Sequence, residues 1–378
     1  MALILNEEQQ LLKESAEGFF AEKAPVSQLR ALRDNADETG FSQDLWAEMA
    51  EMGFAGLLVD EDNGGTDFGL VGAGIVAEAM AKTLAASPFL ASSVIGASAV
   101  KAAGSDEQKT HWLRQIAAGE KIVTLAIDET AHHGPENTAL KSIASDGGYV
   151  LSGMKTFVCD GHVADTIFVL ARTSGESGEK NGLSLFAVDK GAAGLIVDRT
   201  VMADSRNWAK ITFEGVKVDA SALIGSEGAA LDAIEPALDN ARIIIAAELL
   251  GIAQQCLEQT VGYLQERKQF GVVIGTFQGL QHRAAHLFSE IEVTRSAILK
   301  AMQVADAGGD VRWFASLAKA KAAKTAELAT NEAIQMHGGI GMTDEFDIGF
   351  YIKRARILQA LLGDYNYHAD RFAACSGY

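Results

Sequence analysis

The last part of the chain constrains the fold most, because its apolar residues recur with a helical period through four long segments. Helices of this length, joined by short connections, pack side by side as an antiparallel bundle. The sequence therefore predicts a helical bundle from about residue 229 to the end, with helices at 236–266, 276–306, 311–336 and 345–374.

The period changes in the middle of the chain, where residues 122–228 carry short apolar runs separated by turn residues. Asp146-Gly147-Gly148 and Asn181-Gly182 are typical of hairpin turns. This stretch predicts a small antiparallel β domain whose strands include Tyr149–Leu151, Ile167–Leu170, Leu183–Val188 and Ile211–Phe213.

The first part of the chain has a helical period and carries helix-capping residues. Asn6 with Gln9, and Ser105 with Gln108, make capping boxes, and Ser42 is a further N-cap. The whole order predicts an α+β fold with an N-terminal α-helical domain (1–121), a middle antiparallel β domain (122–228) and a C-terminal four-helix bundle (229–378).

One short glycine motif has two interpretations. The stretch 72–77 fits the G-x-G-x-x-A pattern of dinucleotide-binding loops. That loop follows a buried strand, whereas a turn rich in Gly and Asp precedes this motif. We therefore interpret the small residues as a site of close helix packing.

Composition argues against several classes of function. The net charge of −18 disfavours nucleic acid and anionic membranes as partners. No apolar run is long enough to span a membrane. Cys159, Cys256 and Cys375 are scattered without metal-ligand spacing, which indicates a reducing compartment. His282 and His286 could share a helix face but lack a third ligand, so no metal is expected. The sequence predicts a soluble, cytoplasmic protein.

Two polar stretches interrupt the C-terminal helical segments, and both suit an anionic cofactor. The first, at 265–278, contains a cation, Arg267, and an amide, Gln278. The second contains Gly338 and Gly339, which let backbone N–H groups approach phosphate oxygens.

These stretches resemble the C-terminal domain of the acyl-CoA dehydrogenase family, the FAD-dependent α,β-desaturases of CoA thioesters. The resemblance implies the acyl-CoA dehydrogenase fold, an acyl-CoA substrate, FAD and, as electron acceptor, an electron-transferring flavoprotein. In the family, some FAD contacts cross a subunit interface, so an oligomer is implied. The cofactor-binding positions that match are Arg267, Phe270, Gln278, Gln335, Gly338 and Gly339.

The match weakens in the β domain, where the family contacts the flavin ring. Ile127 replaces a Thr that serves the isoalloxazine, and His133 stands where a Ser contacts ligand. The triplet that shields the flavin becomes Phe157-Val158-Cys159, so Phe157 still stacks while Cys159 is a weaker donor than Thr. The resemblance therefore implies an intact phosphate half-site and an altered ring half-site.

The substrate side retains one matching segment. Asp239 and Arg242 align with a family helix whose Asp and Arg face the acyl-CoA. The alternative is a structural salt bridge between Arg242 and either Asp239 or Glu248. The residues alone leave both interpretations open.

Both positions that hold the family's catalytic base are aliphatic in this chain. The usual Glu position holds Leu362, and the minority position holds Ala241. The family reaction removes an α-proton with a carboxylate while the β-hydrogen leaves as hydride, and losing a general base costs about 10²–10⁴-fold. Asp364 is the nearest substitute, although a cap or an ion pair with Arg371 or His368 would also explain it.

The C-terminal sequence closely resembles the small subunits of heteromeric acyl-CoA dehydrogenases of the pimeloyl-CoA and steroid-degradation type. It implies a subunit without a base, working with a Glu-bearing paralogue on a bulky or dicarboxylic acyl-CoA. Two alternatives stay open. One is an autonomous homotetramer that uses Asp364 or needs no base, and the other is a non-catalytic ligand-binding scaffold.

Overall fold

The computed structural model describes residues 3–378 and shows the predicted helical, β, helical order. The described residues form the helices α1 Glu7–Lys23, α2 Val26–Asp34, α3 Gln43–Glu51, α4 Gly69–Thr83, α5 Ala97–Ala103, α6 Asp106–Ala117, α7 Ala230–Glu266, α8 Gln278–Asp306, α9 Arg312–His337, α10 Ile348–Ala360 and α11 Tyr365–Cys375. None of these helices is both long enough and apolar enough to cross a bilayer.

The strands lie mainly in the middle of the chain. They are β1 Val123–Ala126, β2 Lys141–Ser145, β3 Gly148–Cys159, β4 Thr166–Arg172, β5 Leu183–Asp189, β6 Leu195–Val201, β7 Asn207–Asp219, β8 Leu223–Ile224, β9 Lys268–Gln269 and β10 Val272–Val273.

Contacts divide the chain into two compact units, which do not follow the linear order of the predicted domains. The helical unit comprises the chain up to Ala31, then Gly74–Ala86 and Arg242–Tyr378. The sheet unit comprises Leu32–Ala73 and Ser87–Ala241.

The sheet unit contains a mixed sheet in the order β6-β7-β3-β2-β4-β5-β8, with β1 also paired to β4. Most neighbours are antiparallel, as the sequence predicts, but β1 and β2 both run parallel to β4. The β2–β3 hairpin lies between β1 and β4 in the chain. Its buried core includes Leu140, Leu151, Phe186, Ile211 and Phe213.

In the helical unit, α9 packs against α8, α10 and α11. The prediction for the last helix is wrong in one respect. The segment 345–374 is two helices, because the backbone breaks between Ala360 and Tyr365. The predicted start of the first bundle helix is also wrong, since α7 begins at Ala230 and contains Pro236 within it.

The capping predictions are confirmed. The capping boxes of Asn6 with Gln9 and of Ser105 with Gln108 are both formed, and Ser42 caps α3. The stretch 72–77 lies inside α4, as the packing interpretation requires. A Cβ at position 74 would lie 2.1 Å from Met302 Sδ. Glycine at this position therefore allows α8 to approach α4 closely.

Gly251 makes a similar close approach between α7 and α4. A Cβ at this position would lie 2.3 Å from the backbone carbonyl oxygen of Glu78. We expect Gly251→Ala to destabilise the protein by about 1–3 kcal/mol, because a backbone must move to accept the methyl group. Thermal unfolding monitored by circular dichroism measures this. Gly262→Ala on the same helix is the control, since a Cβ there meets no atom within 4 Å. Equal melting temperatures for the two variants would contradict the prediction.

Candidate functional site

The loop between α7 and α8 brings three predicted cofactor residues onto one exposed surface of the helical unit. Arg267 directly follows α7, Phe270 and Gly271 turn the β9–β10 hairpin, and Gln278 begins α8. Phe270 is 91% exposed and adopts φ +52°, and its ring lies 6.3 Å from that of Phe277. An aromatic pair this exposed is a surface suited to being covered by a ligand or another chain.

The glycine turn after α9 presents an open backbone. Gly338 ends the helix at φ +66°. A Cβ at Gly338 or Gly339 would meet no atom within 4 Å, and Gln335 is exposed on the last turn of the helix. The segment is therefore accessible to a phosphate group in the way that the resemblance requires.

His337 supports this turn from beneath. Its ring is buried, stacks on Tyr263 at 4.5 Å between centroids, and lies 5.0 Å from the ring of Phe346. Its Nδ1 donates to the carbonyl of Ala333 at 2.7 Å, and burial lowers its pKa. This packing could not be predicted from the residues around His337, because Tyr263 lies on a different helix.

In the sheet unit, Phe157 is the exposed member of the predicted flavin-ring triplet. It lies at an irregularity in the pairing of β3 with β7, adopts φ +53° and is 43% exposed. Its ring lies edge-on to Trp208 at 6.4 Å between centroids. Cys159 is buried, and its thiol donates to Asp160 at 3.6 Å.

Residues Ile127 and His133 lie on the segment between β1 and β2. Ile127 packs its side chain into the interior. The His133 side chain is 1% exposed, and its Nδ1 lies 2.9 Å from a carboxylate oxygen of Asp128. Asp128 also accepts from the backbone N–H of Gly134. A substrate contact for His133 remains a prediction, and this carboxylate is the group that orients its ring.

Sequence reasoning missed Lys155, the residue that connects the two ring-side segments. Its side chain is fully buried, and its ammonium donates to the Ile127 carbonyl at 2.8 Å and to Glu129 at 2.9 Å. Burial lowers the pKa of Lys155 to about 8, while the carboxylate of Glu129 opposes that shift.

Arg242 is fully buried in the helical unit. Its Nε donates to the carbonyl of Leu362 at 3.2 Å, and its Nη2 donates to the Tyr367 hydroxyl at 3.4 Å. Glu248 accepts from Nη2 of Arg354 at 2.6 Å. Asp239 is buried on α7.

The break between α10 and α11 holds the position of the family's usual base. Leu362 is 4% exposed and adopts φ +55°, a conformation that costs a non-glycine residue energy. A Cβ on Gly363 would lie 2.4 Å from the Tyr367 ring, so only glycine fits there. Asp364 caps α11 by accepting from the backbone N–H of Tyr367 at 2.9 Å, as the structural interpretation of that residue predicts.

Two further buried side chains hold this break together. The Lys319 ammonium donates to the carbonyls of Gln359 and Gly363 at 3.1 and 2.9 Å. His368 Nε2 lies 3.1 Å from the Leu362 carbonyl, and because a carbonyl only accepts, that nitrogen carries the hydrogen. Burial, with the charges of Lys319 and Arg242, strongly lowers the pKa of His368. The other usual base position, Ala241, is buried and has no ionisable group.

Three family models cover most of the sequence. They are the acyl-CoA dehydrogenase N-terminal domain at residues 6–120, the middle domain at 124–216 and the C-terminal domain at 230–375. A curated relative, cyclohex-1-ene-1-carbonyl-CoA dehydrogenase of Geobacter metallireducens, is 32% identical over 85% of this chain and 86% of its own length. The chain belongs to the acyl-CoA dehydrogenase family. Family members are oxidoreductases that act on CH–CH bonds and use FAD.

Solved structures of acyl-CoA dehydrogenases share the fold. The ChsE4-ChsE5 complex from Mycobacterium tuberculosis is 25% identical with a TM-score of 0.89, over 100% of this chain and 99% of that one. A Tcur3481-Tcur3483 steroid ACAD variant is 28% identical with a TM-score of 0.86, over 98% of each chain. The predicted acyl-CoA dehydrogenase fold is therefore confirmed.

The residues present fit FAD within each unit. In the helical unit, an exposed cation, an exposed amide and an open glycine turn suit the phosphates. In the sheet unit, Phe157 presents an exposed aromatic ring that can stack on a flavin. FAD supplies hydride acceptance when bound. No group of three His, Cys, Asp or Glu side chains within residues 3–378 is arranged to hold a metal ion.

The buried Lys319 makes stability depend on pH. Burial and the charge of Arg242 lower its pKa from 10.5 to about 7. Between these values the unfolded chain binds the proton and the folded chain does not, so this group's contribution to the free energy of unfolding rises with pH, by at most about 1.4 kcal/mol per pH unit. As the pH falls from 10.5 this contribution decreases, and it is fully lost at about 7.

We expect the Lys319→Met protein to lose this rise in the free energy of unfolding with pH. Urea unfolding at pH 7 and at pH 9 tests this. Between these two pH values, the urea midpoint should increase less for the variant than for the parent. Lys324→Met on the same helix is the control, since the side chain of Lys324 is 54% exposed and pairs with Glu327 at the surface. A parent and a Lys319→Met protein with the same pH dependence would rule out the assignment.

Proposed function

We propose that this chain is the base-lacking subunit of a heteromeric acyl-CoA dehydrogenase that desaturates a bulky or dicarboxylic acyl-CoA. The observation that carries the proposal is Leu362, a buried aliphatic side chain at the position of the family's usual base. Abstraction of an α-proton requires a group that can accept it, and neither Leu362 nor Ala241 can.

The environment of Asp364 argues against the autonomous enzyme. Its carboxylate already caps α11, and a cap of this kind stabilises a helix by about 1 kcal/mol. Service as a base would require the carboxylate to leave the backbone N–H of Tyr367 and turn toward the substrate. A Glu on a paralogous partner needs no such rearrangement.

The phosphate-side residues support a role in assembly. Arg267, Phe270 and Gln278 are all exposed on one loop, where a neighbouring subunit can meet them. In this proposal the chain lends these contacts to FAD that serves the partner's Glu. The ChsE4-ChsE5 complex and the Tcur3481-Tcur3483 steroid ACAD, both similar to this chain, support a two-subunit assembly and a steroid-like acyl group. An electron-transferring flavoprotein is the electron acceptor that we propose.

The first test is the FAD content of the purified chain, measured by visible absorption. We expect little flavin from the chain alone, and about one FAD for every two chains after co-expression with a Glu-bearing paralogue. About one FAD per chain in the isolated protein would favour the homotetramer instead. Absence of flavin from both preparations would favour the non-catalytic scaffold.

The flavin-containing heteromer tests the missing base directly. We expect replacement of the partner's catalytic Glu by Gln to slow anaerobic flavin bleaching by acyl-CoA by about 10²-fold or more, because a general base contributes that much and neither Leu362 nor Ala241 can replace it. Asp364→Asn in this chain is the matched comparison and should bleach at the rate of the parent. Bleaching that survives the Glu→Gln change in the partner and is lost in Asp364→Asn would contradict the proposal and identify Asp364 as the base.

The contribution to a shared FAD is tested in the co-purified heteromer. We expect Arg267→Ala in this chain to lower the FAD content per heteromer, because a charge-assisted contact to phosphate is lost, with about a tenfold weaker affinity. Lys268→Ala removes the neighbouring exposed cation and is the control. Equal FAD content in the two variants would show that Arg267 does not reach the cofactor.

A further inference from the structure

We propose that Lys155 is a positioning residue for the flavin ring, because it cross-links the two segments that carry the ring-side residues. One segment, between β1 and β2, carries Ile127 and His133. The other, on β3, carries Phe157 and Cys159. The inference rests on the proposed function and adds that the flavin ring lies against the sheet unit of this chain, whichever subunit supplies the base.

The ammonium of Lys155 has a complete set of acceptors. An ammonium has three hydrogens. Three oxygens surround it, the Ile127 carbonyl at 2.8 Å, Glu129 Oε1 at 2.9 Å and Thr138 Oγ1 at 3.0 Å. All three belong to the segment between β1 and β2, and the Lys155 side chain is fully buried. The lysine therefore gathers both ends of that segment around one charge.

Glu129 extends the same arrangement. Its Oε1 accepts from the backbone N–H of Leu140 at 2.9 Å, and its Oε2 accepts from that of Ala139 at 2.9 Å. Arg172 donates to the Thr138 carbonyl at 2.9 Å. The only regular element in the segment between β1 and β2 is one helical turn, Pro135–Asn137. The side chains of Lys155, Glu129 and Arg172 therefore determine the course of its backbone, in place of a hydrogen-bonded ladder.

The position of Lys155 on β3 transmits this order to the ring face. It lies two residues before Phe157, at the start of the irregularity in pairing with β7. The backbone N–H of Thr156 donates to the Asp128 carbonyl at 2.9 Å, which adds a second link. Phe157 keeps φ +53°, a conformation that persists only where the surroundings hold it. Loss of the ammonium removes the hydrogen bond that links the Ile127 carbonyl to the part of β3 that carries Phe157.

The test separates positioning from stability with three variants. Lys155→Met keeps the length and removes the charge, but it leaves the Glu129 carboxylate, whose side chain is 17% exposed, without its cation. Lys155→Met with Glu129→Gln removes both charges, which restores much of the lost stability because no unpaired charge stays buried. Lys101→Met is the matched control, since Lys101 donates to the Leu58 carbonyl at 2.7 Å in the same unit.

The binding measurement uses the flavin-containing assembly, made free of FAD and then titrated with FAD and separately with ADP, which represents the phosphate half. We expect Lys155→Met and the double variant to bind FAD about tenfold or more weakly, with an altered visible circular dichroism of the bound flavin. ADP affinity should stay that of the parent, and Lys101→Met should match the parent for both ligands. Recovery of FAD affinity together with stability in the double variant would overturn the proposal, as would a parallel loss of ADP and FAD affinity.

The flavin-free chain gives a second readout that needs no cofactor. Glu129 and Glu136 lie on the cross-linked segment and are cleavage sites for a glutamate-specific protease. We expect cleavage at these sites to be about tenfold faster in Lys155→Met than in Lys101→Met, because the segment opens more often. Equal cleavage rates would show that Lys155 does not hold the segment. Failure of the parent assembly to bind FAD would count against the cofactor assignment, while the cleavage result would still decide the cross-link.

Discussion

A buried ammonium must be surrounded by oxygens, and this requirement shapes two irregular backbone segments of the protein. Transfer of an unpaired ammonium from water into the interior costs several kcal/mol, so a fully buried lysine persists only where acceptors converge on it. Lys155 collects a carbonyl, a carboxylate and a hydroxyl from the segment between β1 and β2. Lys319 collects two carbonyls at the break between α10 and α11. Neither segment has a hydrogen-bonded ladder that could replace these contacts.

Local signals in the sequence predicted the elements well. Capping boxes mark the starts of α1 and α6. In each, two side chains three residues apart accept hydrogen bonds from each other's backbone N–H groups, so four residues contain the whole signal. The change from a helical to a strand period is also local, and it located the sheet correctly. The predicted cofactor residues Arg267, Phe270 and Gln278 came from a family resemblance carried by one short stretch of sequence, and all three are exposed.

What the sequence did not reveal depends on distant partners. Lys155 lies in a strand between Met154 and Thr156, and nothing local distinguishes it from a solvated lysine, since its acceptors are 17 to 28 positions away. The division of the last helix did have a local signal that was missed. Gly363 is a helix-ending residue and Asp364 a helix-starting one, so Leu-Gly-Asp reads as the end of one helix and the beginning of the next. The long apolar period across 345–374 concealed it.

The break between α10 and α11 keeps its shape without help from the side chain at position 362. Lys319, Arg242 and His368 all bind backbone carbonyls there, including that of Leu362 itself, and Gly363 supplies the turn. These bonds go to the backbone, so they hold it whichever side chain stands at position 362. In the proposed heteromer, one copy of a duplicated gene can therefore lose its carboxylate and remain a well-folded partner for the other.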